Sequence, residues 1–193
     1  MVMNITYTTS NSITDLEGIL SLQKANLAQG LTSAEIYSQG FVTVHHIYDQ
    51  LKKLNDQERH VIAKDGEQVI AYVLAMTKQA RSDIPVLVPM FDVFDTVLYN
   101  GKKIAAYNYL VIGQVCVDKN YRGQGVFDNC YAAYKDHYSD KYDFAITEIA
   151  ATNLRSLNAH KRIGFEEVHS YSGPDKTEWI VVIWNWKNIS NEL

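Results

Sequence analysis

The chain has 193 residues, 47% of them hydrophobic, with a formal net charge of −4 and a sequence pI near 5.8. That length fits one domain with a sizeable core. No Lys/Arg cluster marks a nucleic-acid surface, and the longest apolar runs, IPVLVPMF and WIVVIW, are too short to cross a bilayer. Cys116 and Cys130 fall inside apparent regular elements, and the opening MVMNITYTTS has no signal-peptide pattern, so the expectation is a reduced, cytoplasmic protein. Metal-site spacing is missing: His45 and His46 are adjacent, and neither cysteine has a partner at the usual short gap.

In chain order, MNITYTT alternates as a strand does, and Ile13, Leu16 and Leu20 then recur at helical spacing behind Thr/Ser/Asn caps. Helical patterns follow over 33–38 and 46–54. HVIAK and QVIAYVLAM flank Asp65–Gly66, a hairpin signal. The apolar, proline-bearing stretch DIPVLVPMFDVFDTVLYNGKK reads as a short helix or loop. YNYLVIGQVCV, 107–117, is apolar at nearly every position of its end and reads as a central strand covered on both faces. Val126, Phe127, Cys130, Tyr131, Tyr134 and Tyr138 then fall at helical intervals. YDFAITEIA is a strand, NLRSLNAHKRIG a helix closed by Gly164, and FEEVHSY and EWIVVIWNW are two strands joined by Ser172–Gly173–Pro174. The order predicts an α/β or α+β mixed sheet with helices on its faces.

YRGQGVF, 121–127, is the turn between the central strand and the next helix. The first amides of a helix lack intrahelical partners and point along the positive pole of its dipole, where phosphate oxygens bind well. Gly123 and Gly125 let the backbone approach such an anion, and Arg122 adds a charge-assisted contact. The Walker pattern is not present, and the dinucleotide fingerprint fails at Asp128, so this stretch by itself also reads as an ordinary strand-to-helix turn.

Downstream, NLRSLNAHKRIGF places Asn153, Ser156/Leu157 and His160 along one helical face. Here the sequence resembles the GNAT family of acetyl-CoA-dependent N-acetyltransferases. Arg122–Phe127 follows the family's [RQ]xxGx[GA] motif except at its last position, and Asn153, Ser156, Gly164 and Phe165 follow NxxSxxxYxxxGF, with His160 where tyrosine is usual. The resemblance implies the acyl-CoA N-acyltransferase fold over residues 1–193. That fold is a mixed, mostly antiparallel sheet, splayed at the cofactor site and flanked by helices.

It further implies that the backbone of Val115, Cys116 and Val117 holds the pantetheine arm of acetyl-CoA and polarises the thioester carbonyl. Arg122, Gly123, Gln124, Gly125, Val126 and Phe127 would cradle the pyrophosphate, the bulk of Phe127 being a departure. Asn153 would bond the arm or order the strands; on residue pattern alone it is a helix N-cap. His160 takes the position of the acid that protonates the leaving thiolate, and is otherwise a surface histidine. Glu148, the carboxylate nearest the expected splay, is the candidate base; its pattern alone reads as an exposed strand-end charge. Gln114 is a candidate to orient the acceptor amine. Asp92 and Asp95 are candidates to receive it as a cation, with helix-end charges as the plainer reading. A non-catalytic acyl-CoA-binding module is the alternative to an enzyme, and the family admits a homodimer. A Ser–His hydrolase built on Ser156 and His160 lacks the nucleophile-elbow pattern.

Overall fold

The computed structural model describes residues 4–27, 41–42 and 44–187. In chain order these form β1 (Ile5–Thr9), α1 (Ile13–Asn26), α2 (Tyr48–Gln57), β2 (Val61–Asp65), β3 (Gln68–Met76), α3 (Ala80–Asp83), α4 (Val88–Phe94), β4 (Leu98–Tyr99), β5 (Lys102–Lys103), β6 (Tyr109–Val117), α5 (Val126–Tyr138), β7 (Phe144–Ala150), α6 (Leu154–Ile163), β8 (Glu166–Ser172) and β9 (Glu178–Asn185). The helix expected at 33–38 lies outside the described residues. No described helix is long and apolar enough to cross a membrane.

Local chemistry explains several boundaries. Ser12 and Asp15 form a reciprocal capping box that starts α1, and the helix buries Leu16, Ile19 and Leu22. β2 runs one residue further than its pattern suggests, because Asp65 pairs with Gln68 and the tight turn falls on Gly66–Glu67. The proline-bearing stretch is helical rather than looped: α3 and a 3₁₀ turn at Pro85–Leu87 lead into α4, and the small β4–β5 hairpin follows.

Among the described residues, seven strands form one sheet in the order β1-β2-β3-β6-β7-β9-β8. Only the β6–β7 pair is parallel. Alternation along the central strands divides the core. Leu110 and Ala145 face the cluster built from Val126, Tyr131 and Tyr134 of α5 and Leu157 of α6. Tyr109, Val111, Phe144 and Ile146 face the opposite side, against α4 and the end of α2. The central strand is thus covered on both faces, as its apolar run predicts.

The parallel pairing is short. β6 and β7 are in register only at Tyr109–Phe144, Leu110–Ala145 and Val111–Ile146, and then diverge. Two features drive the divergence. Against β3, the register slips between Val73/Val115 and Ala75/Ile112, so β6 carries an extra residue at Gly113–Gln114, a bulge that bends the strand. Glycine suits the site: a Cβ at position 113 would lie 2.5 Å from the Met76 sulfur, so any other residue would force that side chain to move. At the fork, the Thr147 hydroxyl donates to the Ile112 carbonyl at 2.8 Å, satisfying a backbone group that the ladder abandons. The splayed mixed sheet expected from the sequence is the observed one.

Candidate active site

A cleft of about 540 Å³ opens where β6 and β7 part, between the starts of α5 and α6. Val115, Cys116 and Val117 form its floor. Arg122, Gly123, Gly125, Val126 and Phe127 form one wall, and Asn153 begins the other. The sequence-predicted cradle residues therefore gather in one place, apart from Gln124, whose side-chain amide donates to the Asn120 carbonyl.

Gly123 and Gly125 both adopt left-handed backbone, with φ of 73° and 77°. A Cβ on Gly123 would meet nothing within 4 Å, so the loop faces open space on the side where an anion would lie. Gly125 is the N-cap of α5 and offers no side chain to its first amides. On the strand, the Asp118 amide donates to the Ile70 carbonyl at 2.8 Å. Antiparallel alternation then commits the Cys116 backbone to β3 and turns the Val115 and Val117 backbones toward the gap. The Val117 carbonyl is already taken by Arg122 Nε at 3.0 Å. The Cys116 thiol is buried, which pushes it up to about 12, so it is a packing group and not a nucleophile.

Asn153 serves as helix cap and as tie: its Oδ1 accepts from the Ser156 amide at 3.3 Å, and its Nδ2 donates to the Phe41 carbonyl at 3.3 Å. Arg122 makes a matching tie, donating to Asn26 Oδ1 at 2.6 Å. Sequence reasoning missed Arg155 and Arg162, which line the cleft with Arg122. Their separation of seven residues, two helical turns, was the available signal. Together these guanidinium groups make a cationic cleft in a chain of net charge −4. Arg162 pairs with Asp128 at 2.6 Å and lies 6.0 Å from the Phe127 ring centroid.

Four expectations change. His160 is not on the surface and does not line the cleft. Its Nε2 meets the Tyr131 hydroxyl at 2.6 Å, and its Nδ1 donates to the Ser156 carbonyl at 2.8 Å. Phe127, which does line the cleft, packs edge-on against the imidazole at 5.5 Å. Burial lowers His160 to about 4, so the ring is neutral and holds α5 to α6. His160→Ala is expected to cost about 2–4 kcal/mol of stability, from the cavity and from the stranded Tyr131 hydroxyl. A thermal melt reads that loss; a fall in kcat at an unchanged melting temperature would instead restore His160 as the proton donor.

Gln114 is likewise occupied. It accepts from the Tyr72 hydroxyl at 2.6 Å and donates to the Val44 carbonyl at 2.8 Å, so it braces the bulge rather than presenting its amide to an acceptor. Asp92 and Asp95 share one partner, Arg81, which bonds both, and they lie beside the closed end of the β6–β7 pair, near Tyr109. One guanidinium offsets half of their charge, away from the cleft. Glu148 does not line the cleft either, but it is not an exposed strand-end charge: it is half-buried and accepts a hydrogen bond from the Tyr171 hydroxyl. Burial is the main cause that raises it to about 7.

Comparison with known proteins places this arrangement. No curated protein matches the sequence. Solved structures share the fold at low identity. The ribosomal-protein-S18-alanine N-acetyltransferase from Escherichia coli has 13% identity and a TM-score of 0.61, covering 98% of each chain. A chain of the NatC complex bound to Gag peptide and CoA has 14% identity and a TM-score of 0.63, over 95% of this chain and 99% of that one. A GNAT-family acetyltransferase from Streptococcus agalactiae 2603 has 7% identity and a TM-score of 0.65, over 96% and 98%. The sequence itself matches the acetyltransferase (GNAT) family over residues 27–165, from the end of α1 through the cradle to Phe165, and the chain belongs to that family.

Proposed function

We propose that the chain is an N-acetyltransferase that moves acetyl from acetyl-CoA to a primary amine by direct attack. The observation that carries this reading is the single cleft formed by the splayed strands and the glycine cradle. Bound there, acetyl-CoA supplies an activated acetyl thioester. The amides at the start of α5 take the pyrophosphate, and Arg122, Arg155 and Arg162 offset the charge of the nucleotide. The Val115 and Val117 amides turned toward the gap hold the arm and donate to the carbonyl oxygen as charge grows on it. An acceptor amine with a pKa near 10 arrives protonated. Glu148, set at the fork and raised to about 7, accepts that proton directly or through water. His160 supports the wall from behind and supplies no proton; as the carbon–nitrogen bond forms and the carbon–sulfur bond breaks, the amine's second proton passes to the departing sulfur, and CoA leaves as a thiol. No described group of His, Cys, Asp and Glu side chains is arranged to hold a metal.

The test is binding followed by turnover. Acetyl-CoA at about a hundred times Kd adds roughly 2.7 kcal/mol, a rise in melting temperature of about 5–10 °C for a chain of this size. Release of free CoA is then measured with a panel of amines. One compared protein is an alanine N-acetyltransferase and another is bound to a peptide, so the panel includes peptides beside polyamines and amino acids. A melting shift without CoA release for any amine would favour a non-catalytic acyl-CoA-binding module; no shift at millimolar acetyl-CoA would remove the reading altogether.

A further inference from the structure

Glu148 follows Thr147, the residue that marks the fork, and alternates with Phe144 and Ile146 onto the sheet face that carries α4. Its hydrogen-bond partner comes from two strands away. Tyr171 is on β8, and β9 runs between them. Glu148 is opposite Val181 and Tyr171 is opposite Trp179, so the phenol crosses over β9, across outer strands about 10 Å apart. The Tyr171 ring packs on the buried cluster that contains Val181, and its hydroxyl donates to Glu148 Oε2. Glu148 Oε1 has no hydrogen-bond partner among the described residues.

We propose that Tyr171 is a positioning residue for the acceptor: its hydroxyl fixes one oxygen of Glu148 and leaves the other for the incoming amine. The proposal rests on the acetyltransferase reading and extends it, because it makes the β8–β9 hairpin a wall of the acceptor site. Among the described residues, two titratable groups act on Glu148, both from this hairpin: Tyr171, and Asp175 in the turn. Burial under the hairpin raises the carboxyl, the Tyr171 bond lowers it by favouring the ionised form, and the Asp175 charge raises it. A cationic amine entering between Glu148 and Asp175 meets two carboxylates from one side, which selects amines that carry charge in solution.

Tyr171→Phe keeps the covering ring and removes only the donor. The direct readout is a carbon-13 NMR titration of the full chain labelled at glutamate carboxyl carbons, with the Glu148 signal assigned by its loss in Glu148→Gln. Glu148 is expected to titrate near 7 in the parent chain. In Tyr171→Phe the midpoint moves up by about one unit, and in Asp175→Asn it moves down. With a peptide or polyamine that passes the acceptor panel, kcat/KM of Tyr171→Phe at pH 7 falls about fivefold and recovers at pH 9, since one unit leaves about a tenth of Glu148 ionised. An unmoved midpoint, or a rate loss equal at every pH, would overturn the proposal and leave Tyr171 as packing. The titration needs no acceptor, so it decides the pairing by itself; an inactive amine panel counts against the acetyltransferase reading alone.

Discussion

Glutamine in place of Glu148 is expected to lower kcat/KM for the amine acceptor by about 100-fold or more at pH 8, the range for loss of a general base. The same substitution is expected to leave the fold as stable as before or more so. Glu148 is raised from 4.5 to about 7 in the folded chain, mainly by burial. A carboxyl whose folded pKa exceeds its unfolded one holds its proton more tightly when folded. Its contribution to stability is complete below 4.5 and is lost as pH rises through 7, where ionisation costs up to about 3 kcal/mol. Glutamine removes that cost and still accepts from the Tyr171 hydroxyl. Activity and stability should therefore move in opposite directions, which separates a catalytic loss from a folding defect. Steady-state kinetics and a melt, both at pH 8, read the two; unchanged turnover would leave Glu148 without a role in proton transfer.

Stability is expected to fall as pH drops below 6.5, before ordinary carboxylates titrate. His46, His60 and His160 are all buried, and burial lowers each to about 4. The hydrogen bonds of His60 and His160 agree with neutral rings. His60 Nδ1 accepts from the Ala75 amide at 3.1 Å while its Nε2 donates to the Leu51 carbonyl at 3.2 Å, so a second ring proton would confront an N–H. Between 6.5 and 4 the unfolded chain holds protons on these positions that the folded chain does not. Stability is thus full above 6.5 and falls as pH drops through that window. Each histidine contributes up to about 1.4 kcal/mol per pH unit, and Glu148 opposes one of the three, leaving a net slope of about 2–3 kcal/mol per unit. That is a large fraction of the 5–15 kcal/mol that holds a typical domain together. Urea titrations at pH 7.5, 6.5 and 5.5 check it; a constant midpoint across that series would mean that the histidines protonate without opening the core.

Features written in local chemistry were legible in the sequence. The glycines of the cradle, the buried central strand and Gly164, which closes α6 with φ of 110°, each follow from neighbours in the chain. What escaped prediction depends on partners distant in sequence. Glu148 looks solvated until Tyr171 arrives across β9. Asp92 and Asp95 look like an open pair until Arg81, on α3, takes both. Gln114 looks poised beside the gap until its amide is spent on Tyr72 and Val44. His160 sits in the register of the family's tyrosine, and register fixes the position of a side chain but not what covers it. Arg155 and Arg162 look like ordinary helix-surface charges because the cleft they line exists only after β6 bends.

The contact between Phe127 and His160 joins the two departures from the family pattern in one packing unit. Their rings meet nearly at right angles, and both also touch Tyr131. A small residue at 127 with histidine kept at 160 would open the buried imidazole to the cleft. A tyrosine at 160 with Phe127 kept would place two large rings in one volume. Either intermediate costs about 1–3 kcal/mol, which makes a stepwise exchange unfavourable in both orders. The pair therefore acts as one packing unit, and an engineer who wishes to restore the family's tyrosine must change both positions together.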